Sequence, residues 1–231
     1  FIAILILFSL IYTFDLNYII KGIRVVYLNG YSTVFIDDNK YFDTVEVETS
    51  NNPEPWIKHI NYNQKNTSKI FDEFNSKMET AAFIIIENDS ILTEKYYNGY
   101  DENSVINSFS MAKTLIYVTL AKAIEEGYIK SLEQKVVDFI PELKGEFASE
   151  VRVIDLASMH SGMEWTEPSL NPFSVLAKTY FVKDLNKLIL DQPFVEKPGI
   201  KFQYSSGNTQ ILSILIERAT GEKITDYFSK H

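Results

Sequence analysis

The apolar positions change period several times along the chain, and each change marks an element. Residues 1–14, FIAILILFSLIYTF, are almost unbroken apolar sequence. Residues 22–38, GIRVVYLNGYSTVFIDD, read as two β-branched and aromatic runs split by Asn29-Gly30, a pattern that predicts a hairpin. Ile70, Phe71, Phe74 and Met78 have helical spacing within 68–79. Residues 81–100, AAFIIIENDSILTEKYYNGY, hold two strand-like runs around Asn88-Asp89, which predicts a second hairpin. Phe83 to Ile86 is continuously apolar, as expected of a strand covered on both faces.

After residue 110 the pattern is helical. Met111, Leu115, Val118, Leu120, Ala121 and Ile124 form one stripe over 110–126, and Gly127 supplies the stop. Ser131-Leu-Glu-Gln134 looks like a capping box opening a short helix that ends before Pro141. Further helices are predicted at 153–160, 173–190 and 209–220, the last closed by Gly221, and another begins at ITDYFSKH. Pro198-Gly199 makes a turn before FQYSS, and SNNPEPW reads as loop. An isolated two-stranded hairpin is marginal. Partner strands are therefore expected beyond residue 231.

Composition bounds the function. The chain has 231 residues, 45% hydrophobic and 14% aromatic, enough to bury one sizeable core. Its net charge is -9 and Lys/Arg residues do not cluster, which argues against a nucleic-acid partner. Cysteine is absent, so disulfides, thiolate metal sites and a cysteine nucleophile are excluded. Asp37-Asp38 and Glu125-Glu126 read as solvated faces, and no His, Asp or Glu set has metal-ligand spacing, so no cofactor is expected. The sequons at Asn66 and Asn88 are matches by pattern only.

Fourteen helical residues span about 21 Å, short of a hydrocarbon core of about 30 Å. The chain opens at Phe1 rather than Met, so residues 1–14 read as the tail of a membrane anchor or signal segment. Thr13-Phe14-Asp15 is a poor cleavage site, which favours an anchor and an exported, extracytoplasmic location. Residues 15–67 then form an N-terminal extension, and 68–231 part of a catalytic domain.

The candidate chemistry lies in SFSMAKT and FQYSSGNTQ. Ser110 and Lys113 are three residues apart, so a helix places them on one face. The helix N-terminus supplies partial positive charge and free N–H groups for an oxyanion. A serine hydroxyl needs a base to become a nucleophile. An amine supplies that base, and a phenol beside an ammonium is pushed toward phenolate. Ser110, Lys113 and Tyr204 therefore suffice for acyl transfer without histidine. Taken alone, Ser-x-x-Lys also fits a capping serine beside a solvated lysine. A Ser161–His160 hydrolase is disfavoured because no Gly-x-Ser-x-Gly elbow exists. Tyr96, Tyr97 and Tyr100 read as packing residues flanking a strand.

In order along 80–231, SFSMAKT, AIEEGYIKSLEQKVVDFIPEL, DLASMHSGM and PGIKFQYSSGNTQILSILIERATG resemble the serine beta-lactamase-related family. That group includes class C beta-lactamases, penicillin-binding-protein-like peptidases, esterases and nylon-oligomer hydrolases. The resemblance implies an α+β fold, an antiparallel sheet flanked by helices. It implies Ser110 as acylated nucleophile, Lys113 as its activator and Tyr204 as general base and then acid. Ser206 stands where the family's Tyr-x-Asn element has asparagine, with Asn208 two positions on, and is a candidate substrate-binding residue. That departure favours an ester, amide or peptide-like small-molecule substrate over a beta-lactam. The family's Lys/His-Thr/Ser-Gly strand, which carries half the oxyanion hole, has no counterpart after residue 221, so residues 1–231 alone are expected to be inactive. The alternative is a membrane-tethered, penicillin-binding-like sensor that keeps Ser110 without turnover. A purely structural tethered domain would leave the three residues a coincidence. Nothing in the residues sets an oligomeric state.

Overall fold

The computed structural model describes residues 9, 11–13, 16–49, 52–64, 67–167 and 171–231. The apolar segment 1–14 therefore lies largely outside the described residues. Among those described, no helix is long and apolar enough to cross a membrane. The chain forms two compact units, one of residues 1–48 with 107–231 and one of residues 49–106.

The smaller unit holds a three-stranded sheet. Strands β1 (Ile57–Lys58), β2 (Ala82–Glu87) and β3 (Ser90–Tyr96) lie in the order β1-β3-β2. β2 and β3 are the antiparallel hairpin expected from the two strand-like runs around Asn88-Asp89. Asn88 and Asp89 close it with φ of 48° and 58°, as a two-residue turn requires. β1 runs parallel to β3, a pairing too short to register in the apolar pattern. Helix α1 (Asn17–Val25) belongs to the larger unit, and α2 (Lys69–Lys77) to the smaller. The Ser68 hydroxyl caps α2 by accepting from Phe71 N at 3.2 Å, and the Phe71 ring meets Phe83 edge-on. Ile84, Ile85 and Ile86 are exposed, contrary to the expectation of cover on both faces.

The larger unit is helical. It contains α1, α3 (Ala112–Glu125), α4 (Val153–Ala157), α5 (Val175–Phe181), α6 (Leu185–Leu190), α7 (Ser206–Thr220) and α8 (Ile224–Ser229). α7 is its axis. Ile211, Leu212, Ile214, Leu215 and Ile216 are buried, and α3, α4, α6 and α8 all pack on it. Each such side chain contributes about 1.5–3 kcal/mol through burial. α7 starts where the Ser205 hydroxyl accepts from Asn208 N and stops at Gly221, φ 75°.

Three expectations are corrected. Residues 22–38 form no hairpin. Asn17–Val25 is helix with Tyr18 and Val25 buried and Val26 as its C-cap, and Asn29-Gly30 closes the 3-10 turn Tyr27–Asn29 that follows instead of turning a strand. The Asn29 amide donates to the Val25 and Arg24 carbonyls, while Gly30 takes φ 83°. The single helix expected at 173–190 is broken into α5 and α6. Val182 is extended, and the Asp184 carboxylate caps α6 by accepting from Lys187 N at 2.8 Å. The segment after Ser131 makes only a 3-10 turn, Val136–Asp138, although Gln134 Oε1 does accept from Lys130 N.

Candidate active site

Ser110 sits in a single 3-10 turn, Phe109–Met111, that runs directly into α3. Phe109 has φ 47°, the left-handed region that a side chain resists. Its N–H is donated to Asn107 Oδ1 at 2.9 Å. α3 holds its place through buried Thr119, Leu120 and Ala123. Met111, Leu115, Val118 and Ala121, four of the six residues of the predicted stripe, are exposed. One turn after Ser110, Lys113 Nζ donates to Ser110 Oγ at 3.1 Å. Ser110 is exposed and Lys113 half-buried, so the nucleophile is open to a substrate while the amine is sheltered.

Tyr204 arrives from the loop that precedes α7. Its neighbours are pinned: Gln203 N donates to the Met159 carbonyl at 2.8 Å, Gln203 Nε2 to the Trp165 carbonyl at 2.9 Å, and Ser205 caps the helix. The Tyr204 hydroxyl donates to Ser110 Oγ at 3.0 Å, and Lys113 Nζ lies 5.4 Å from the Tyr204 ring centroid. The three residues singled out in the sequence therefore meet at one oxygen. One serine oxygen thus has both a phenol and an amine within hydrogen-bonding distance, the groups that proton transfer to and from a serine nucleophile requires.

Ser206 opens α7 and is engaged by Glu167. Its N–H donates to Glu167 Oε2 at 3.1 Å and its hydroxyl to Oε1 at 2.7 Å. The Trp165 indole N–H donates to the same carboxylate. Asn208 does not replace the family's asparagine at the site. It is buried, its Oδ1 accepts from the Ser161 hydroxyl at 2.7 Å, and its amide faces the Met159 sulfur. The Ser161 hydroxyl is thereby donated to Asn208, and His160 Nδ1 lies 2.6 Å from the Ser158 carbonyl.

Ser110, Lys113 and Ser206 line a cavity of about 700 Å³ together with Asn107, Glu167 and Tyr180. That volume suits a small-molecule substrate. Burial, with the nearby Asp38 and Glu167 carboxylates, pushes the Tyr180 phenol up. Sequence reasoning missed Glu167 and Asn107, which carry no motif. It also placed Asp38 on a solvated face, whereas Asp38 is fully buried. The only signal was its position at the end of an apolar run.

The family model described as Beta-lactamase matches residues 67–231. A 6-aminohexanoate-dimer hydrolase of Paenarthrobacter ureafaciens is 26% identical over 169 residues, covering 66% of this chain and 41% of its own length. Among solved structures, a candidate 6-aminohexanoate-dimer hydrolase from Bacillus anthracis aligns with a TM-score of 0.59 at 24% identity, over 69% of this chain and 45% of that one. A class C beta-lactamase aligns with a TM-score of 0.50 at 18% identity, over 67% and 43%. The chain thus spans less than half the length of these relatives, and it shares with them the α+β fold expected from its motifs. With the match running through both SFSMAKT and FQYSSGNTQ, the chain belongs to the beta-lactamase family.

Proposed function

We propose that the protein is a serine hydrolase that cleaves an ester or amide bond through an acyl-enzyme on Ser110. The observation that carries this reading is the meeting of Lys113 Nζ and the Tyr204 hydroxyl on Ser110 Oγ, at 3.1 and 3.0 Å. The Lys113–Tyr204 pair takes the Ser110 proton as Oγ attacks the carbonyl carbon. The N-terminus of α3 faces the charge that develops on the carbonyl oxygen. Collapse of the tetrahedral species expels an alcohol or amine, which receives the proton through Tyr204. Water, activated by the same pair, then releases the acid and restores Ser110.

Ser206 favours esters and amides over beta-lactams, because a short hydroxyl held by Glu167 cannot reach as an asparagine amide does. The likeness to a 6-aminohexanoate-dimer hydrolase points the same way. The apolar run FIAILILFSLIYTF supports a membrane tether and an extracytoplasmic location. The decisive experiment treats the intact protein with a fluorophosphonate, in which Ser110 Oγ attacks phosphorus and fluoride leaves, and follows hydrolysis of aryl esters and amides. Labelling lost in Ser110→Ala, with turnover, supports the hydrolase. Labelling without turnover favours the sensor, and no labelling at all refutes both.

A further inference from the structure

The turn that presents Ser110 is anchored from the segment that precedes the smaller unit. Phe109, immediately before the nucleophile, holds a positive φ of 47°. Nothing in a phenylalanine side chain favours that conformation, so the surroundings must impose it. Phe109 N donates to Asn107 Oδ1 at 2.9 Å, Asn107 Nδ2 donates to Asp38 Oδ1 at 3.2 Å, and Asp38 Oδ2 accepts from Phe35 N at 3.2 Å. In the same place Asn107 N donates to the Ile36 carbonyl at 2.7 Å. Residues 35–38 and 107–109 are thus joined by both backbone and side chains.

Chemistry selects the order of this chain of bonds. An ionised carboxylate only accepts, whereas an amide has a donor end and an acceptor end. Asp38 therefore orients the Asn107 amide with its NH₂ toward 38 and its oxygen toward Phe109 N. The reversed amide would set its oxygen against the Asp38 carboxylate and its NH₂ against an N–H. Asp38 is fully buried, so an unmatched partner there is costly.

We infer that Asp38 and Asn107 are positioning residues that hold Phe109 in its left-handed conformation and so aim Ser110 Oγ at Lys113 and Tyr204. This rests on the hydrolase reading above. Neither residue donates to or accepts from Ser110 in these bonds. Their effect travels through the backbone of the turn.

A polarity swap tests it. In Asp38→Asn the new amide can accept from the Asn107 NH₂ only by setting its own NH₂ against Phe35 N–H, and in Asn107→Asp two carboxylates face each other. The double variant Asp38→Asn/Asn107→Asp restores the bond between 38 and 107 with donor and acceptor exchanged, and leaves an oxygen at each residue for Phe35 N–H and Phe109 N–H. Each single variant should slow fluorophosphonate labelling of Ser110 about tenfold or more, and the double variant should recover most of that rate. All are measured at a temperature where circular dichroism shows them folded. If the singles do not fold, Asn107→Ala is compared with Asn107→Ala/Phe109→Gly. Glycine adopts positive φ unaided, so it should raise the labelling rate of the alanine variant. A merely structural loss would not be recovered this way. Wild-type labelling that persists unchanged in the single variants overturns this inference alone, as does failure of both rescues. No labelling of the wild type overturns the hydrolase reading and this inference with it.

Discussion

The Tyr204 hydroxyl donates to Ser110 Oγ across 3.0 Å, although 94 residues separate the two in sequence. The contact joins the loop before α7 to the turn before α3. Tyr204→Phe keeps the ring beside Lys113 and removes only the proton carrier. It should lower kcat/KM for ester hydrolysis by roughly 10²–10⁴, the usual span for a general acid–base group. A loss of less than about threefold in steady-state kinetics would assign the proton to another group.

Lys113 separates a base from a mere positive charge. Lys113→Arg keeps the cation near Ser110 but cannot give up its proton. Activity should fall as far in Lys113→Arg as in Lys113→Met. Substantial ester turnover by the arginine variant would show that the charge alone suffices.

The buried Ser161–Asn208 hydrogen bond ties the loop after α4 to the first turn of α7. Asn208→Ala strands the Ser161 hydroxyl and should cost about 1–3 kcal/mol in urea unfolding. Adding Ser161→Ala should return part of that loss. An unchanged unfolding midpoint in Asn208→Ala would mean that solvent reaches the hydroxyl.

Gly207 is where α7 passes the Trp165 ring. A Cβ there would lie 2.7 Å from ring carbons Cε3 and Cζ3 and 2.9 Å from the Met163 sulfur. Gly207→Ala should destabilise by about 1–3 kcal/mol, as overpacking does. It should also shift Trp165 fluorescence and weaken the indole's bond to Glu167. A variant with wild-type stability and emission would contradict this packing.

In the smaller unit, Tyr96 donates to Glu94 Oε1 at 2.5 Å, and that carboxylate pushes the phenol up to about 12. A raised phenol stabilises the fold fully below its unfolded value of about 10, and that contribution disappears as pH rises through the folded value. Hydrogen bonds from Tyr96 and then Tyr62 hold Glu94 below its ordinary value. Its contribution is present above about pH 4.5 and is lost as pH falls through the folded value. Glu94→Gln should bring the Tyr96 titration back toward 10 in a tyrosinate absorbance experiment. An identical titration curve would rule out the coupling.

What was legible in the sequence was local. The Ser110–Lys113 spacing needs only the 3.6-residue turn, the hairpin at 82–96 needs two strand-like runs around Asn-Asp, and the end of α7 is marked by Gly221, although its start at Ser206 lies three residues before the expected 209. The ordered motifs also paired Ser110 with Tyr204 before any distance was known. Tertiary structure decided the rest. Residues 17–25 became helix because Tyr18 and Val25 had a buried surface to meet, which left Asn29-Gly30 to close a 3-10 turn after it. Asp38 went inside because Phe35 and Asn107 brought it two donors, and Glu167 became the partner of Ser206 only when chain folding closed the loop between them. Periodicity reports which face of one element is apolar. It carries no information on which distant donor will meet a carboxylate, and that meeting determined the surroundings of Ser110.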